Sequence, residues 1–185
     1  GYEIAKSLFN NGFDTTLISG PSKLTIDPNI NLLKVNTAEE MYKKTVENLP
    51  CDVAIFCAAV GDFKVKNLSE NKIKKNNDLK LDLEKNIDIL KLISKNNDKP
   101  KLVIGFSAET NNLYSNSKQK LQDKGCDWII ANDVSKNDIG FDSDFNEVSI
   151  FYKNEKAEDE IISKTYKSVV ADEIVKRVIN QLNLI

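Results

Sequence analysis

The longest apolar run of the sequence, "CDVAIFCAAV" at residues 51–60, most constrains the fold. A run of β-branched, aromatic and small residues of this length is typical of a central strand that is buried on both faces. Further strand patterns are "DTTLIS", "INLLKVN", "KLVIGFSAE" and "DWIIAND", and helical patterns separate most of them. Strands that alternate with helices predict an α/β fold, in which a doubly wound, mostly parallel sheet lies between two layers of helices.

Capping residues mark the ends of two helices. Gly12 follows the first helical pattern in the position of a C-terminal cap. Thr37 and Glu40 have capping-box spacing for a second helix, which is expected to extend to about residue 49. Further along the chain we expect a helix at about 86–97 and another helix that ends at about 124. A turn and an edge strand are expected at 141–152, and an amphipathic closing helix at about 164–182.

Composition excludes several classes of protein. The chain has 185 residues and a net charge of −2, so we expect a single domain over residues 1–185 and no preference for nucleic acid or a membrane. Histidine is missing from the sequence, which excludes a Ser-His-Asp triad, a His-ligated zinc site and an imidazole base. The three cysteines form no CxxC pair, and no apolar run reaches the length of a membrane span. We therefore expect a cytosolic protein without a disulfide framework.

The predicted strands end in small or polar residues, which locates a candidate ligand site. In a doubly wound sheet, ligands bind beyond the carboxyl ends of the strands. After the longest strand, Ala58, Ala59 and Gly61 would let a ligand approach the backbone, and Asp62 could face a metal or a hydroxyl group. The alternative is a tight turn in which Asp62 only caps the next segment. The other strand ends expected at this edge are 19–21, 106–109 and 131–133.

Lysines near this edge favour an anionic ligand. Lys72, Lys74 and Lys75 follow Asp62 within the reach of a loop, and Lys120 and Lys124 are one helical turn apart. Two lysines at this spacing repel each other mildly, although Asp123 could offset part of the repulsion, and the pair makes sense if an anion is bound there. Ammonium groups that face one carboxylate indicate a polyphosphate–metal site. The alternative is a solvated lysine face, and the sequence has neither a P-loop nor a GxGxxG fingerprint.

Taken together, several segments resemble phosphopantothenoylcysteine synthetase, the phosphopantothenate–cysteine ligase of coenzyme A synthesis. These segments cover nearly the whole chain in the family's order: "GYEIAKSLFNNGFDTTLISGP", "AAVGDF", "NKIKK", "KNIDIL", "IGFSAETNN" and "ANDV…GFDSDFNEV". The resemblance implies a Rossmann-like fold and a two-step reaction. The carboxylate of 4'-phosphopantothenate would attack CTP to give an acyl-cytidylate and pyrophosphate, and the amine of L-cysteine would then displace CMP.

The resemblance also implies roles for individual residues. Asp62 would hold Mg²⁺ on the triphosphate, and Lys72 would be the catalytic cation beside the reacting phosphate. Ala59 and Asn132 would lie near the acyl intermediate. The nucleotide would be bound by the backbone of Phe56, Cys57 and Ala58, by Ile87, Asp88, Ile89, Leu90 and Phe106 at the base and ribose, and by Lys120 and Lys124 at the phosphates.

The sequence departs from the family pattern at three points. Ile87 stands where the family has proline, and Gly61 stands where alanine or serine is commoner. No strand pattern precedes the first helix, so we expect the family's first strand and its Ser/Gly-rich loop, with a catalytic asparagine, to lie upstream of Gly1. A fused flavin-dependent decarboxylase domain could precede them. In the family, the lysine-rich segment at about 64–84 pairs across a two-fold axis, which implies a homodimer.

Two other classes of protein remain as alternatives. Tyr114 and Lys118 have the Tyr-x-x-x-Lys spacing of a short-chain oxidoreductase that uses NAD(P). A non-catalytic nucleotide-binding module would bind CTP or ATP without consuming it. A pyrophosphate-release assay separates that module from a ligase.

Overall fold

The computed structural model describes residues 1–67, 80–135 and 143–183. Over these ranges the chain forms five helices and nine strands. In chain order they are α1 (Tyr2–Asn10), β1 (Thr16–Ser19), β2 (Asn31–Lys34), α2 (Ala38–Glu47), β3 (Val53–Phe56), β4 (Phe63–Val65), β5 (Leu83–Lys85), α3 (Ile89–Ser94), β6 (Leu102–Glu109), α4 (Leu113–Lys124), β7 (Trp128–Asp133), β8 (Phe145–Tyr152), β9 (Glu160–Tyr166) and α5 (Lys167–Leu182). No helix in the described ranges is long and apolar enough to cross a membrane.

The central sheet has five strands in the order β3-β6-β7-β8-β9. Strands β3, β6 and β7 are parallel, whereas β8 and β9 are antiparallel to their neighbours. Strands β1 and β2 form a separate parallel pair, and β4 and β5 form an antiparallel ribbon. The sequence-based prediction of a mostly parallel α/β sheet is therefore confirmed.

Each face of the sheet carries its own hydrophobic core. On one face, α1 and α5 pack against β6, β7 and β8 through fully buried residues such as Ile104, Ile150 and Ile174. On the other face, α3 and α4 pack through a second cluster, which includes Val103, Phe151, Leu121 and the half-buried Leu90. The architecture is thus a three-layer α/β/α domain, as expected from the alternating pattern.

The prediction for residues 51–60 is wrong in two respects. Strand β3 covers only Val53–Phe56, and all four of its residues are half-buried. In the described part of the sheet, β3 pairs only with β6 and so forms one end. Its other edge faces a gap of about 670 Å³ that is also lined by β1 and α1. Because no described strand pairs with that edge, β3 is not a central strand of the described sheet, and its side chains are half-buried rather than buried.

The C-terminal edge also differs from expectation. The segment 141–152 was expected to end in an edge strand, but β8 pairs with β7 on one side and with β9 on the other. Strand β9 forms the edge instead, and its sequence "EIISKTY" escaped prediction because charged and hydroxyl residues interrupt the apolar pattern. The closing helix α5 begins at Lys167 and buries Val170, Ile174 and Val178 as its amphipathic pattern predicts.

The predicted caps are present. The hydroxyl of Thr37 accepts a hydrogen bond from the Glu40 amide at 3.1 Å. The carboxylate of Glu40 accepts a hydrogen bond from the amide of Asn36 at 2.7 Å. In a capping box the donor would be the amide of Thr37, one residue later. Gly12 follows α1 with φ +84°, a conformation that favours glycine. Helix α3 is shorter than the expected 86–97, because residues 86–88 bind the preceding loop and cap the helix.

Candidate functional site

The carboxyl ends of the three parallel strands lie at one edge of the central sheet. Phe56 at the end of β3 is in register with Gly105, four residues before β6 ends at Glu109. Glu109 is in register with Asp133, where β7 ends. Strands β6 and β7 therefore extend past β3, and a recess is left above the end of β3, beside the loop that follows it.

The loop after β3 holds Asp62 close to the start of α3. Ala58 and Ala59 are exposed, and the Ala58 carbonyl accepts from the Val60 amide at 3.0 Å, which closes a tight turn. Asn86 joins this loop to the segment before α3. Its backbone amide donates to the Asp62 carbonyl at 2.8 Å, and its side-chain Nδ2 donates to the Gly61 carbonyl at 3.0 Å. The turn at Ala58 fits the tight-turn alternative. The exposed side chain of Asp62 fits the site hypothesis as well, so the loop agrees with both.

Sequence reasoning did not single out Asn86. The Oδ1 atom of Asn86 accepts from the Ile87 amide at 2.9 Å, so one side chain contacts two segments. The backbone amide of Ile87 is therefore bound by Asn86 rather than directed outward. The signal was a short amide side chain directly before a capped helix, where such residues commonly bond to nearby backbone groups.

Helix α3 starts at the candidate site and packs closely on the sheet. Asp88 is its N-cap, and the Oδ1 atom accepts from the Lys91 amide at 3.1 Å. Ile89 is buried, with 5% of its surface exposed. A Cβ atom on Gly105 would lie only 2.5 Å from a methyl group of Leu90. The glycine in β6 therefore allows Leu90 to approach the sheet.

Each of the two predicted phosphate-binding lysines on α4 is paired with a carboxylate. Lys120 Nζ lies 2.7 Å from Glu109 and 2.8 Å from the Ser107 hydroxyl. Lys124 Nζ lies 2.6 Å from Asp88 Oδ2. Asp123, the expected counter-charge, accepts instead from Gln119 at 3.0 Å, because it is directed along the outer face of α4. The repulsion between the lysines is thus offset by residues of β6 and α3.

Glu109 is a buried charge that sequence reasoning missed. It is 7% exposed and accepts hydrogen bonds from Ser107, Lys120 and Asn116. Burial alone would raise the pKa of this carboxyl, but the three donors outweigh burial and hold the pKa below its usual value. The available signal was an acidic residue at the end of an otherwise apolar strand, eleven positions before a lysine on the next helix.

The remaining predicted site residues divide between the two faces of the sheet. Phe56 packs with the α3–α4 cluster, whereas Cys57 and Phe106 pack with the α1–α5 cluster. Asn132 is in register with Ala108 and, by strand alternation, belongs to the same face as Phe106. Burial raises the pKa of the Cys57 thiol, which favours the neutral form. A ligand that touched all of these residues would therefore straddle the edge of the sheet.

Lys72, Lys74 and Lys75 lie outside the described residues, so the position of the "NKIKK" motif stays a prediction. The other end of that segment is described. Phe63 of β4 and Leu81 and Leu83 near β5 expose between 58% and 59% of their surface, and this unusually apolar ribbon stands apart from both cores.

The contacts of Lys118 do not favour an oxidoreductase. Its Nζ atom binds Asp159 at 2.7 Å and lies 5.7 Å from the ring centre of Tyr114 and 5.5 Å from that of Phe151. Lys118 is therefore held over aromatic rings by cation–π contacts and an ion pair.

Comparison with known proteins identifies the family. Residues 1–182 match the "DNA/pantothenate metabolism flavoprotein C-terminal domain". The chain is 36% identical to the coenzyme A biosynthesis bifunctional protein CoaBC of Haemophilus influenzae over 180 residues, which is 96% of this chain and 45% of that protein. Identity to CoaBC of Borreliella burgdorferi is 38%, over 95% of this chain and 44% of the relative. The chain thus spans less than half the length of these curated relatives.

Solved structures share the fold. The crystal structure of the C-terminal domain of a CoaBC protein superimposes with a TM-score of 0.81 at 30% identity, covering 99% of this chain and 82% of that chain. A Cab2 mutant in complex with phosphopantothenate-cysteine gives a TM-score of 0.73 at 15% identity, covering 98% of this chain and 76% of that chain, which shows likeness of fold alone. By the family match over residues 1–182 and the CoaBC relatives, this chain belongs to the DNA/pantothenate metabolism flavoprotein C-terminal domain family.

Proposed function

We propose that this chain is a phosphopantothenate–cysteine ligase of coenzyme A biosynthesis that uses CTP. The observation that carries the proposal is the match to the C-terminal domain family over residues 1–182, together with CoaBC relatives that align over 96% of the chain. The edge of the sheet supports it, because the exposed loop after β3, the start of α3 and two lysines of α4 meet there.

The reaction has two steps. A carboxylate oxygen of 4'-phosphopantothenate attacks the α-phosphorus of CTP, and the bond to the bridging oxygen breaks with release of pyrophosphate. The amine of L-cysteine then attacks the acyl carbon of the acyl-cytidylate, loses a proton and displaces CMP. Neither step needs an oxidant or a reductant.

The nucleotide would bind over the ends of β3 and β6. The backbone of Phe56, Cys57 and Ala58 borders the exposed turn after β3, where small side chains leave the amides accessible. Phe106, Asp88 and Leu90 would contact the base and ribose from the neighbouring strand and from α3, with Ile87 and Ile89 contributing backbone groups. Ala59 and Asn132 would lie near the acyl group.

Asp62 fits a role in holding Mg²⁺. Its carboxylate is exposed beside the turn, and the described residues form no group of three acidic, cysteine or histidine side chains that could bind a metal without a substrate. Mg²⁺ is typically bound by one or two carboxylates together with substrate phosphates. When bound, the ion would neutralise charge on the triphosphate, and Asn86 would keep Asp62 in place through the loop backbone.

Lys120, Lys124 and Lys72 would supply positive charge to the phosphates. The first two already neutralise Glu109 and Asp88, so they would share their N–H donors between a carboxylate and the ligand. Lys72 would act at the reacting phosphate. An electrostatic role of this kind lowers the barrier when the charges are fixed before the reaction begins.

An additional strand from upstream residues would complete the site. Strands β1 and β3 pair on one side only within the described ranges, and both line the gap of about 670 Å³. Apolar side chains such as Leu17 and Ile55 face this gap, which would admit a parallel strand. That strand would join the β1–β2 pair to the central sheet and place its following loop beside Ala58. A protein that carries the corresponding upstream segment should have a higher urea midpoint of unfolding than residues 1–185 alone, and an unchanged midpoint would contradict this proposal.

The proposal extends to the whole protein. A fused flavin-dependent decarboxylase domain would precede the ligase domain, because the relatives are bifunctional proteins more than twice as long as this chain. A homodimer would form through the exposed β4–β5 ribbon. A cytosolic location agrees with three free cysteines, of which Cys126 is buried.

The experiment that tests the function is a pyrophosphate-release assay on the full-length protein. Release should require CTP, 4'-phosphopantothenate, L-cysteine and Mg²⁺ together, and ATP should be a far poorer substrate. Calorimetric titration with each nucleotide in the presence of Mg²⁺ checks the preference independently. Equal affinity for CTP and ATP would contradict the CTP assignment, and nucleotide binding without pyrophosphate release would favour the non-catalytic module.

A further inference from the structure

A buried carboxylate anchors one of the lysines at the edge of the sheet. Glu109 lies at the end of β6, and its side chain is 9% exposed, whereas that of Lys120 is 43% exposed. The carboxylate is thus fixed inside the protein while the ammonium group reaches solvent.

Ser107 connects the two charged groups in a fixed direction. Lysine is a donor only, and an ionised carboxylate is an acceptor only. The Ser107 hydroxyl therefore accepts from Lys120 at 2.8 Å and donates to Glu109. Asn116, on the first turn of α4, donates to the other carboxylate oxygen at 3.1 Å, so that Glu109 is held from three sides.

This network determines where Lys120 can donate. Of the three N–H bonds of its ammonium group, one is directed to Glu109 and one to Ser107. Within the described part of the chain the third has no protein acceptor. The Lys120 side chain is 43% exposed, and its partner Glu109 lies at the carboxyl end of β6, the edge of the sheet at which β3 also ends.

We infer that Glu109, with Ser107, is a positioning residue that fixes the Lys120 ammonium group for a phosphate of the nucleotide. The inference rests on the proposed function for the identity of the nucleotide, whereas the geometry shows an ammonium group held at the strand ends, for which inorganic tripolyphosphate is the probe. A free lysine side chain must be ordered when it binds a ligand, and this cost is roughly 0.5–1.5 kcal/mol for a long side chain, or about 3- to 10-fold in affinity. Anchoring by Glu109 removes most of that cost.

The test compares Glu109→Gln with wild type in the full-length protein. Inorganic tripolyphosphate is titrated by calorimetry at physiological salt, and the CTP dependence of pyrophosphate release is measured in parallel. The amide keeps the shape of the side chain but removes its charge, so Lys120 should lose its anchor. We expect tripolyphosphate affinity to fall and the KM for CTP to rise by roughly 3- to 10-fold, while kcat stays within about twofold.

Two further variants keep the test decisive. Glu160→Gln is the matched control, because Glu160 also accepts from a hydroxyl group and a cation, Tyr152 and Arg177, but lies on β9. Glu160→Gln should leave the affinity for tripolyphosphate and the KM for CTP unchanged. Ser107→Ala removes one anchor of Lys120 with little change in volume and should weaken tripolyphosphate by roughly 2- to 3-fold. If Glu109→Gln fails to fold, Ser107→Ala still tests whether anchoring of Lys120 affects tripolyphosphate binding.

The sign of the effect distinguishes the possible outcomes. If Glu109 only repels phosphate, Glu109→Gln will bind tripolyphosphate more tightly, and the inference is overturned. Unchanged affinity in folded Glu109→Gln and Ser107→Ala, or the failure of wild type to bind tripolyphosphate, overturns it as well. If the variants weaken tripolyphosphate as expected but no CTP-dependent ligation occurs in wild type, the positioning role stands and the proposed function is wrong.

Discussion

Lys124 donates to the carboxylate of Asp88 at 2.6 Å, so that a cation of α4 is bound to the residue that caps α3. The two oxygens of Asp88 have different partners, since Oδ1 accepts from the Lys91 amide and Oδ2 accepts from Lys124. Two segments that are far apart in sequence therefore meet at one side chain. In the proposed enzyme, this contact would hold a phosphate-binding lysine beside the segment that binds the nucleotide.

The first prediction separates the two roles of Asp88. Asp88→Asn keeps an oxygen that can cap α3 but loses the ion pair, whereas Asp88→Ala loses both. Since half-exposed ion pairs contribute little, we expect Asn to lower the free energy of unfolding by less than about 0.5 kcal/mol. Ala should lower it by about 1 kcal/mol through loss of the cap. Urea denaturation measures both values, and equal losses would show that the ion pair, not the cap, is the stabilising contact.

The fold was largely predictable because its determinants are local. Apolar runs, capping residues and helical spacing predicted β6, β7, α2 and α5 to within a few residues. The errors concern strands whose burial depends on distant neighbours. Strand β3 is half-buried because its outer edge faces a gap, and β9 was missed because an edge strand tolerates charged residues on its exposed face.

The candidate site was less predictable from sequence. The edge of the sheet that carries the candidate ligand site could be predicted, because strand direction places the carboxyl ends together and the small residues and lysines near them are visible in the sequence. Sequence did not reveal which carboxylate neutralises which lysine. The pairs Glu109–Lys120 and Asp88–Lys124 join residues that are 11 and 36 positions apart, and their formation depends on how α4 packs on α3 and β6. The contacts of Asn86 were missed because they depend on where the loop after β3 lies relative to α3.

The second prediction concerns the β4–β5 ribbon. Leu81 and Leu83 expose 59% and 58% of their surface, and an isolated two-stranded ribbon with such a face is marginally stable in water. We expect a homodimer that buries this face. The double variant Leu81→Ser/Leu83→Ser should weaken the dimer by roughly a hundredfold or more, because each leucine contributes roughly 1.5–3 kcal/mol when buried.

Light scattering at micromolar concentration measures this association. The control is Leu24→Ser, since Leu24 is 64% exposed on the loop before β2 and should not affect the dimer. A monomeric wild type would contradict the prediction, as would a dimer that both sets of substitutions leave intact.

The third prediction concerns Lys72, which lies outside the described residues. If Lys72 stabilises the phosphate during formation of the acyl-cytidylate, Lys72→Ala should lower kcat by on the order of a hundredfold, or roughly 3 kcal/mol, with a smaller change in CTP binding. Lys75→Ala is the control, because Lys75 would point to the opposite face from Lys72 if the "NKIKK" motif is extended. Steady-state kinetics with pyrophosphate detection measures both. Near-normal turnover of Lys72→Ala at saturating CTP would leave only a binding role.

The last prediction concerns the stability that Lys120 contributes through Glu109. Removing the lysine leaves a buried carboxylate without its cation, which is costly because the charge cannot be solvated. We expect Lys120→Met to lower the free energy of unfolding at pH 7 by roughly 2 kcal/mol, a value reduced from that of a fully buried pair because Lys120 is 43% exposed. The double variant Lys120→Met/Glu109→Gln should recover most of this loss, since it removes the unpaired charge.

The pH dependence of this loss has a definite sign. In wild type the pKa of Glu109 lies below its usual value, so its contribution is present above that usual value and is lost as the pH falls through the folded-state pKa. In Lys120→Met the main donor is gone, and burial should raise the pKa of Glu109 so that the group becomes neutral at mildly acidic pH. The difference between wild type and Lys120→Met should therefore shrink between pH 7 and pH 4. Urea denaturation across this range measures it, and a difference that stays constant would show that Lys120 stabilises the fold through packing rather than through Glu109.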